Sequence, residues 1–285
     1  MEKINNVYTI RNMTRGELNL VVDWAAREGW NPGIFDADCF FKADPTGFFV
    51  GLIKGEPIAS ISVVKYGTSF GFLGFYMVLP EFRGKGYGLN LWRHGMKTLD
   101  GRNVGLDGVV DQQPHYKKSG FKRAHGNIRY QGTGGGRLPA GHKFVPLSRV
   151  PLVQFHRYDH SFFPEDRKRF MASWICQPQA YALGILQGDD LAGYGMIRQC
   201  REGYKIGPLF ADTPEQADAL FLALKSGVAN QDSLFLDIPQ TNPHAIALVE
   251  HHGMTPVFET ARMYTGKIPK IPMEKVFGVT SFELG

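Results

Sequence analysis

The fold is decided by the stretch Met77-Val78-Leu79-Pro80-Glu81-Phe82-Arg83-Gly84-Lys85-Gly86-Tyr87-Gly88-Leu89. It begins at the end of an apolar run and continues through a turn that contains three glycines. After the turn, apolar residues recur at helical spacing, at Leu89, Trp92, Met96 and Leu99. The stretch therefore predicts a strand, a glycine-rich turn and an amphipathic helix.

The glycine turn between this strand and this helix is suited to bind a phosphorylated ligand. Glycine has no Cβ, so backbone N–H groups can come close to a ligand, and the first amides of a helix are unpaired donors with a partial positive charge. Together they form a cradle for a pyrophosphate, to which Arg83 and Lys85 add positive charge. A plain strand-to-helix connection has a similar local sequence, so the turn alone leaves both interpretations open.

The segments around this turn predict a sheet that is mostly antiparallel. An amphipathic helix is predicted at 14–28, and a short helix at 114–119 ends at Gly120. Short turns join the first three strands as hairpins. The predicted strands of this half are 48–53, 58–64, 70–79, 103–110 and 127–131.

The second half of the chain repeats the same order of elements. Its predicted strands are 181–186, 191–197, 204–210, 233–238 and 258–264, and its predicted helices are 214–225 and 242–253. This repetition predicts an α+β fold of two tandem domains, each a mostly antiparallel twisted sheet flanked by helices. We expect a first domain at 1–135, a linker at 136–150 and a second domain at 151–285.

Two motifs of the first half together resemble those of a known family. Arg83-x-x-Gly86-x-Gly88, which follows Val78-x-Pro80, is similar to the acyl-CoA motif of the GNAT superfamily of N-acetyltransferases, and 116–121 (YKKSGF) is similar to its second motif. Residues 29–33 and 203–209 resemble those of a tandem two-domain subgroup. The resemblance implies acetyl-coenzyme A (acetyl-CoA) as co-substrate, held where the parallel strands 70–79 and 103–110 splay apart.

The resemblance also implies roles for individual residues. The cofactor-binding positions are Met77, Val78, Arg83, Gly84, Lys85, Gly86, Tyr87 and Gly88. A backbone N–H near Val78 is expected to donate to the thioester carbonyl, as in an oxyanion hole, and the amine attacks directly. Tyr116 is the expected general acid for the leaving thiolate, although the same tyrosine could serve only to pack the short helix.

The general base does not follow from the resemblance. Many members of the family carry a glutamate on the strand before the glycine turn, but residues 72–78 contain no carboxylate here. Asp111 and His115 are the nearest titratable candidates, at the end of the next strand and beside Tyr116. We take Asp111 as the candidate base, and either residue could equally be a helix cap or a solvated side chain.

The second half is predicted not to bind the cofactor. Its equivalent turn, 210–217, has no glycine, and Thr213 with Gln216 predicts a capping box that satisfies the helix donors internally. Val249 stands where the family's tyrosine is expected. We expect this half instead to wall off the acceptor site, since ligand sites often form at domain interfaces.

Candidate acceptor-binding residues flank the first helix and lie in the second half. They are Trp30, Asn31, Asp36 and Arg198. An aromatic ring close to a carboxylate suits a cationic amine, and an arginine suits an acceptor that carries a carboxylate or phosphate. Trp30 could equally fill the core beside a Pro-Gly turn.

Composition limits the other classes of function. The chain has 285 residues, of which 43% are apolar and 21% charged, and a net charge of +5, the balance of a soluble globular protein. There is no aromatic and basic stripe for nucleic acid, no metal-ligand spacing among the three cysteines, and no apolar run long enough to span a membrane. Residues 1–6 lack the apolar core of a signal peptide. We therefore expect a cytoplasmic monomer or homodimer without a metal.

Three functions are compatible with these patterns. The first is an acetyl-CoA-dependent N-acetyltransferase that acts on the primary amine of a small molecule. The second is an N-acyltransferase for a protein or peptide amine, with the second half as the docking surface. The third is a non-catalytic acyl-CoA sensor, which only the missing strand glutamate favours.

Overall fold

A computed structural model describes residues 8–285. Residues 1–6, from which no signal peptide is predicted, lie outside the described residues. The strands are Tyr8–Asn12 (β1), Phe48–Ile53 (β2), Glu56–Tyr66 (β3), Phe70–Val78 (β4), Asn103–Val109 (β5), Lys122–Thr133 (β6), Lys143–Pro146 (β7), Ala180–Gln187 (β8), Asp190–Gln199 (β9), Tyr204–Ala211 (β10), Ser233–Pro239 (β11), Thr255–Tyr264 (β12) and Val276–Gly278 (β13). The helices are Arg15–Arg27 (α1), Asp36–Ala43 (α2), Tyr87–Thr98 (α3), Gln113–Lys118 (α4), Leu152–His160 (α5), Lys168–Trp174 (α6), Pro214–Lys225 (α7) and Pro243–His251 (α8). These elements confirm the predicted α+β class.

The strands of residues 8–285 join in one mixed, 13-stranded sheet. Their order is β1-β2-β3-β4-β5-β12-β6-β11-β10-β9-β8-β7, and β13 pairs with β10. Neighbouring strands are antiparallel except for β4 with β5 and β10 with β11, which are parallel. Each half of the chain therefore contributes one parallel pair, as the predicted tandem fold requires.

The two halves exchange one strand each. β12, from the second half, lies between β5 and β6 and pairs with both of them. β6, from the first half, pairs on its other side with β11. Neither half of the sheet is therefore built from one contiguous segment, a feature that the repeated order of elements in the sequence does not predict. Within the segment 136–150, predicted as a linker, β7 is an edge strand that pairs with β8.

The parallel pair of the first half separates partway along its length. β4 and β5 pair only up to Leu73, which lies opposite Leu106. Directly beyond this point β4 bulges at Phe75, whose φ of 45° is in the left-handed region and whose carbonyl accepts a 2.7 Å hydrogen bond from Ser60 Oγ. A bulge bends its strand, and here it leaves a cleft between β4 and β5.

The parallel pair of the second half also separates, but its gap is filled. β10 and β11 pair up to Ile206, which lies opposite Leu236. Beyond that point β13 pairs with β10, with Leu209 opposite Gly278, and Phe277 is fully buried. The C-terminal segment, residues 276–285, thus begins in the position that corresponds to the cleft of the first half.

Three buried ion pairs connect the two halves. They join Asp36 to Arg198 (2.9 Å), Arg129 to Asp237 (2.6 Å) and Asp107 to Arg262 (2.7 Å). In each pair one residue comes from the first half and the other from the second, and the side chains are more than nine-tenths buried. Because a buried charge is tolerated when it is paired and hydrogen-bonded, these pairs define how the halves fit together.

Removal of one partner from such a pair is expected to destabilise the protein. In the Asp36→Ala variant the Arg198 guanidinium would stay buried without its carboxylate, so we expect a loss of about 3–5 kcal/mol in the free energy of unfolding. Asp23→Ala is the matched control, because its ion pair with Arg201 is exposed and should contribute less than about 1 kcal/mol. Urea unfolding measures both variants, and equal losses would contradict the role assigned to the buried pair.

Candidate active site

A cavity of about 740 Å³ occupies the cleft between β4 and β5. Along β4 its lining extends from Leu73, next to the Gly74 that approaches the C-terminal segment, to Val78, which precedes the glycine turn. Residues of β12 and of the C-terminal segment also line the cavity. Both halves of the chain therefore contribute to a single site.

The glycine turn is open to this cavity. Gly86 caps the N-terminus of α3 with a φ of 84°, and no side chain caps the helix. A Cβ built at Gly84 or Gly86 would have no neighbouring atom within 4 Å, so the turn is uncovered on that side. Gly88 has a different role, because a Cβ there would lie 2.8 Å from Tyr76 Oη and 2.9 Å from Val78 Cγ2. Its lack of a side chain lets α3 pack closely on β4.

The predicted cofactor-binding residues fall into two groups. Those that line the cavity are Met77, Val78, Arg83, Gly84, Gly86 and Gly88. Lys85 and Tyr87 do not line it: the Lys85 Nζ donates to Glu81 O (2.8 Å), and the Tyr87 ring packs on Tyr8 with 4.9 Å between centroids. Lys85 therefore contributes positive charge near the turn, while Tyr87 packs beside it.

Arg83 holds the end of β4 in place. Its Nε donates to Val78 O (2.8 Å), and its Nη2 pairs with the Glu28 carboxylate (2.5 Å) at the end of α1. The guanidinium thus connects the glycine turn to the strand and to the first helix, and it places a positive charge at the edge of the cavity.

The equivalent helix of the second half, α7, is capped from within, as predicted. Gln216 N donates to Thr213 Oγ1 (3.3 Å), and Thr213 N donates to Gln216 Oε1 (3.2 Å). In the same turn, Asp212 accepts from Lys275 Nζ (3.0 Å). Of the two equivalent helices, only α3 has an N-terminus that lacks a side-chain cap and lies beside a cavity.

Tyr116 lies on the wall of the cavity, with its ring buried and stacked on Trp92 at 5.5 Å between centroids. Gly108 of β5 makes room for this ring, because a Cβ there would lie 2.7 Å from Tyr116 Cδ2. Burial raises the pKa of Tyr116 well above its usual value. A phenol is protonated at neutral pH even at its ordinary pKa, and burial makes ionisation of this hydroxyl less favourable still.

The two candidate bases differ in their relation to the cavity. Asp111 lines it from the short 3-10 helix that follows β5, and its side chain is exposed to solvent. His115 is also exposed but does not line the cavity. The structure thus brings Tyr116 and Asp111 to one cavity and leaves His115 outside it.

The wall that the second half contributes is largely aromatic. It consists of Phe258 and Thr260 on β12 and Phe282 and Glu283 in the C-terminal segment, and Trp30 of the first half joins them. The Trp30 ring stacks on Phe75 at 6.5 Å between centroids. The backbone of Trp30 is held by Arg129, whose Nη1 donates to its carbonyl (2.7 Å).

The other predicted acceptor-binding residues, Asn31, Asp36 and Arg198, do not line the cavity. Asp36 and Arg198 form an ion pair with each other, although they are 162 residues apart in sequence. The Asn31 side chain donates to and accepts from the backbone of Glu202, at 2.9 Å in both bonds. These residues instead tie the loop that carries Trp30 to the second half.

Neither Phe282 nor Glu283 is predicted from the sequence as a site residue. The segment that carries them has no periodicity and no family motif, so no pattern indicates that it returns to the first half. Its approach depends on Gly74, since a Cβ there would lie 2.2 Å from the backbone oxygen of Glu283. The one available signal is the lack of a carboxylate on β4, which implies that another segment must supply one.

Within residues 8–285, no group of three or more His, Cys, Asp or Glu side chains is arranged to hold a metal ion. None of the helices in the same range combines the length and apolar character needed to cross a membrane.

Comparisons with known proteins match both halves to the same kind of domain. A family model described as "Acetyltransferase (GNAT) family" matches residues 9–121, and one described as "Acetyltransferase (GNAT) domain" matches residues 155–278. A holothin acyltransferase from Pseudoalteromonas sp. (strain SANK 73390) is 31% identical over 281 residues, which cover 99% of this chain and 96% of the relative.

Solved structures share the fold at lower sequence identity. A putative acetyltransferase from Pyrococcus horikoshii superposes with a TM-score of 0.83 at 20% identity, over 98% of this chain and 96% of that one. A tandem GNAT protein from the clavulanic acid biosynthesis pathway superposes with a TM-score of 0.65 at 15% identity, over 92% of this chain and 100% of that one. At these identities the likeness concerns the fold alone.

Proposed function

The chain belongs to the GNAT family of acyltransferases, and on this premise we propose that it transfers an acetyl group from acetyl-CoA to the primary amine of a small molecule. The observation that carries the proposal is the composition of one cavity. It combines an open glycine turn without a side-chain cap, a buried tyrosine and a largely aromatic wall. These parts correspond to a cofactor site, a proton donor and an acceptor site.

The glycine turn fits the pyrophosphate of acetyl-CoA. Gly84 and Gly86 leave the turn open, α3 offers its first amides without a side-chain cap, and the Arg83 guanidinium, paired with Glu28, lies beside them. An anion at such a helix N-terminus is stabilised by the unpaired amides and the helix dipole. One cofactor site per chain is expected, because β13 fills the corresponding gap of the second half and Thr213 caps α7.

Acetyl-CoA, when bound, supplies the acyl group as a reactive thioester. In our proposal a backbone N–H of β4 near Val78 donates to the developing oxyanion. Arg83 Nε fixes this strand end through its bond to the Val78 carbonyl. Tyr116, whose phenol lies on the wall of the same cavity, donates its proton to the leaving sulfur.

A small acceptor fits the aromatic part of the cavity, formed by Trp30, Phe258 and Phe282, better than a polypeptide does. Trp30, Phe258 and Phe282 enclose the space with aromatic surface, and the C-terminal segment closes one side of it. Aromatic rings favour a flat or cationic ligand. The name of the relative, holothin acyltransferase, also denotes a defined chemical compound as acceptor, and we extend this substrate class to the present chain.

The direct test is thiol release from acetyl-CoA in the presence of a library of small amines and a matched panel of lysine peptides. We expect release with members of the amine library and none above background with the peptides. Release with peptides only would favour the protein acyltransferase. Acetyl-CoA binding without release from either set would favour the sensor.

The cofactor assignment predicts the effect of a charge in the glycine turn. Gly86→Glu places a carboxylate where the pyrophosphate is expected, so acetyl-CoA affinity should fall about 100-fold or more, which corresponds to about 2.7 kcal/mol. The control is Gly188→Glu, since Gly188 also has a positive φ (66°) and open space around it but lies in a second-half turn. Calorimetry should detect a change for the first variant only.

If Tyr116 is the general acid, its loss should lower kcat without changing the affinity for acetyl-CoA. Tyr116→Phe keeps the ring stacked on Trp92 but removes the donor, so kcat should fall by about 100-fold or more, with acetyl-CoA affinity nearly unchanged. Tyr130→Phe, on β6 outside the cavity, serves as the control. Steady-state kinetics and calorimetry measure the two effects, and an unchanged kcat would remove Tyr116 from the mechanism.

A further inference from the structure

We propose that Glu283, brought into the cavity by the C-terminal segment 276–285, is the general base that deprotonates the acceptor amine. The inference rests on the proposed function and assigns the one role that the sequence analysis leaves without a firm candidate.

The C-terminal segment is anchored on both sides of Glu283. Before it, Val279 N donates to Asp237 O (2.8 Å), and Thr280 Oγ1 accepts from Arg167 Nη1 (3.0 Å). After it, Leu284 O accepts from the Tyr66 hydroxyl (3.0 Å). These bonds attach the segment to both halves of the chain, so the position of Glu283 is set by fixed partners.

Glu283 reaches β4 at the point where this strand leaves β5. Its backbone oxygen lies so close to Gly74 that a Cβ there would be 2.2 Å away. Gly74 directly follows Leu73, the last β4 residue that pairs with β5. The segment 72–78 has no carboxylate of its own, and the residue whose backbone contacts it here, Glu283, is a glutamate from a different part of the chain.

The other carboxylates that line the cavity are either paired with an arginine or exposed to solvent. Asp107 accepts from Arg262 Nε (2.9 Å) and Nη2 (2.7 Å), and Glu28 pairs with Arg83. Asp111 lies at an exposed part of the wall. Glu283, in contrast, is only 5% exposed, lines the cavity and has no side-chain hydrogen bond within residues 8–285.

The charged groups around Glu283 leave its carboxylate free to accept a proton. Arg129 is paired with Asp237 and Arg198 with Asp36, and Lys205 Nζ donates to Asn31 O (2.8 Å). Burial and the negative charge of Asp36 raise the pKa of Glu283, while the three cations oppose this shift without outweighing it. A carboxylate with a raised pKa is a better base at neutral pH than an ordinary glutamate.

The proton balance of the reaction closes with these groups. Glu283 accepts one proton from the acceptor ammonium, and the neutral nitrogen then forms the C–N bond as the C–S bond breaks. Tyr116 gives its proton to the leaving sulfur, and its phenolate recovers the proton that the new amide nitrogen must lose. Glu283 finally releases its proton to solvent, so each turnover produces an amide, a free thiol and one proton.

The test compares Glu283→Gln with wild type in kcat/KM from pH 5 to pH 9, with an amine that the thiol-release screen identifies. A base works only when deprotonated, so wild-type kcat/KM should fall as the pH drops through the pKa of Glu283. In Glu283→Gln, kcat should fall about 100-fold or more. The fall of kcat/KM at low pH, the acid limb of the pH profile, should disappear, and acetyl-CoA affinity should be unchanged. Added formate should restore part of the rate of Glu283→Ala.

The control is Glu274→Gln, which changes an exposed glutamate of the same C-terminal region outside the cavity and should retain wild-type kinetics. A wild-type rate and pH profile in Glu283→Gln would overturn the proposal. A lower rate in Glu283→Gln that keeps the fall of kcat/KM at low pH, without formate rescue of Glu283→Ala, would also overturn it, because it indicates a structural role. Loss of the low-pH fall in Asp111→Asn instead would assign the base to Asp111. If wild type itself releases no thiol, the proposed function fails, and this inference fails with it.

Discussion

The exchange of β6 and β12 is the constraint on which the rest of the molecule depends. β12 lies between two strands of the first half, and β6 continues the sheet into β11 of the second. Because the backbone ladder runs without a break from one half to the other, the charged side chains near this seam are buried. Two of the Asp–Arg pairs between the halves, Arg129–Asp237 and Asp107–Arg262, lie on the strands of this seam, and the third, Asp36–Arg198, joins α2 to β9. The same exchange places Phe258 and Thr260 of the second half on the wall of a cavity whose glycine turn belongs to the first.

The C-terminal segment makes the two halves unequal in function. β13 fills the gap between β10 and β11, so the second half keeps the splayed architecture but has lost the space that a ligand would need. The residues that follow β13 then cross to the first half and add Phe282 and Glu283 to its cavity. One segment therefore closes a cleft in one half and completes a cleft in the other. This arrangement explains why a duplicated fold is expected to have a single acyl-transfer site.

Much of the fold could be predicted from the sequence, because its signals are local. The glycine turn before α3 and the capping box of α7 depend on residues within one or two turns of each other, and both are present. The strand exchange could not be predicted, since β6 and β12 show the same alternation whichever partner they pair with. Asp36 and Arg198 are plausible ligand contacts as separate residues, and only the fold shows that they neutralise each other. The position of Glu283 could not be predicted for a similar reason. It depends on the close approach of its backbone to Gly74, which is more than 200 positions away in the sequence.

The exchanged strands also determine how the protein can be synthesised. When the ribosome has completed the first half, β5 still has a free edge on the side that β12 will occupy, and β12 belongs to a part of the chain not yet made. An exposed strand edge is a template for unwanted pairing, and contacts between distant segments form slowly. The first half by itself therefore leaves this edge of β5 without its native partner. β12, at Thr255–Tyr264, follows the first half by more than 100 residues, so the interval before it is synthesised is the period when the chain is most exposed to misassembly.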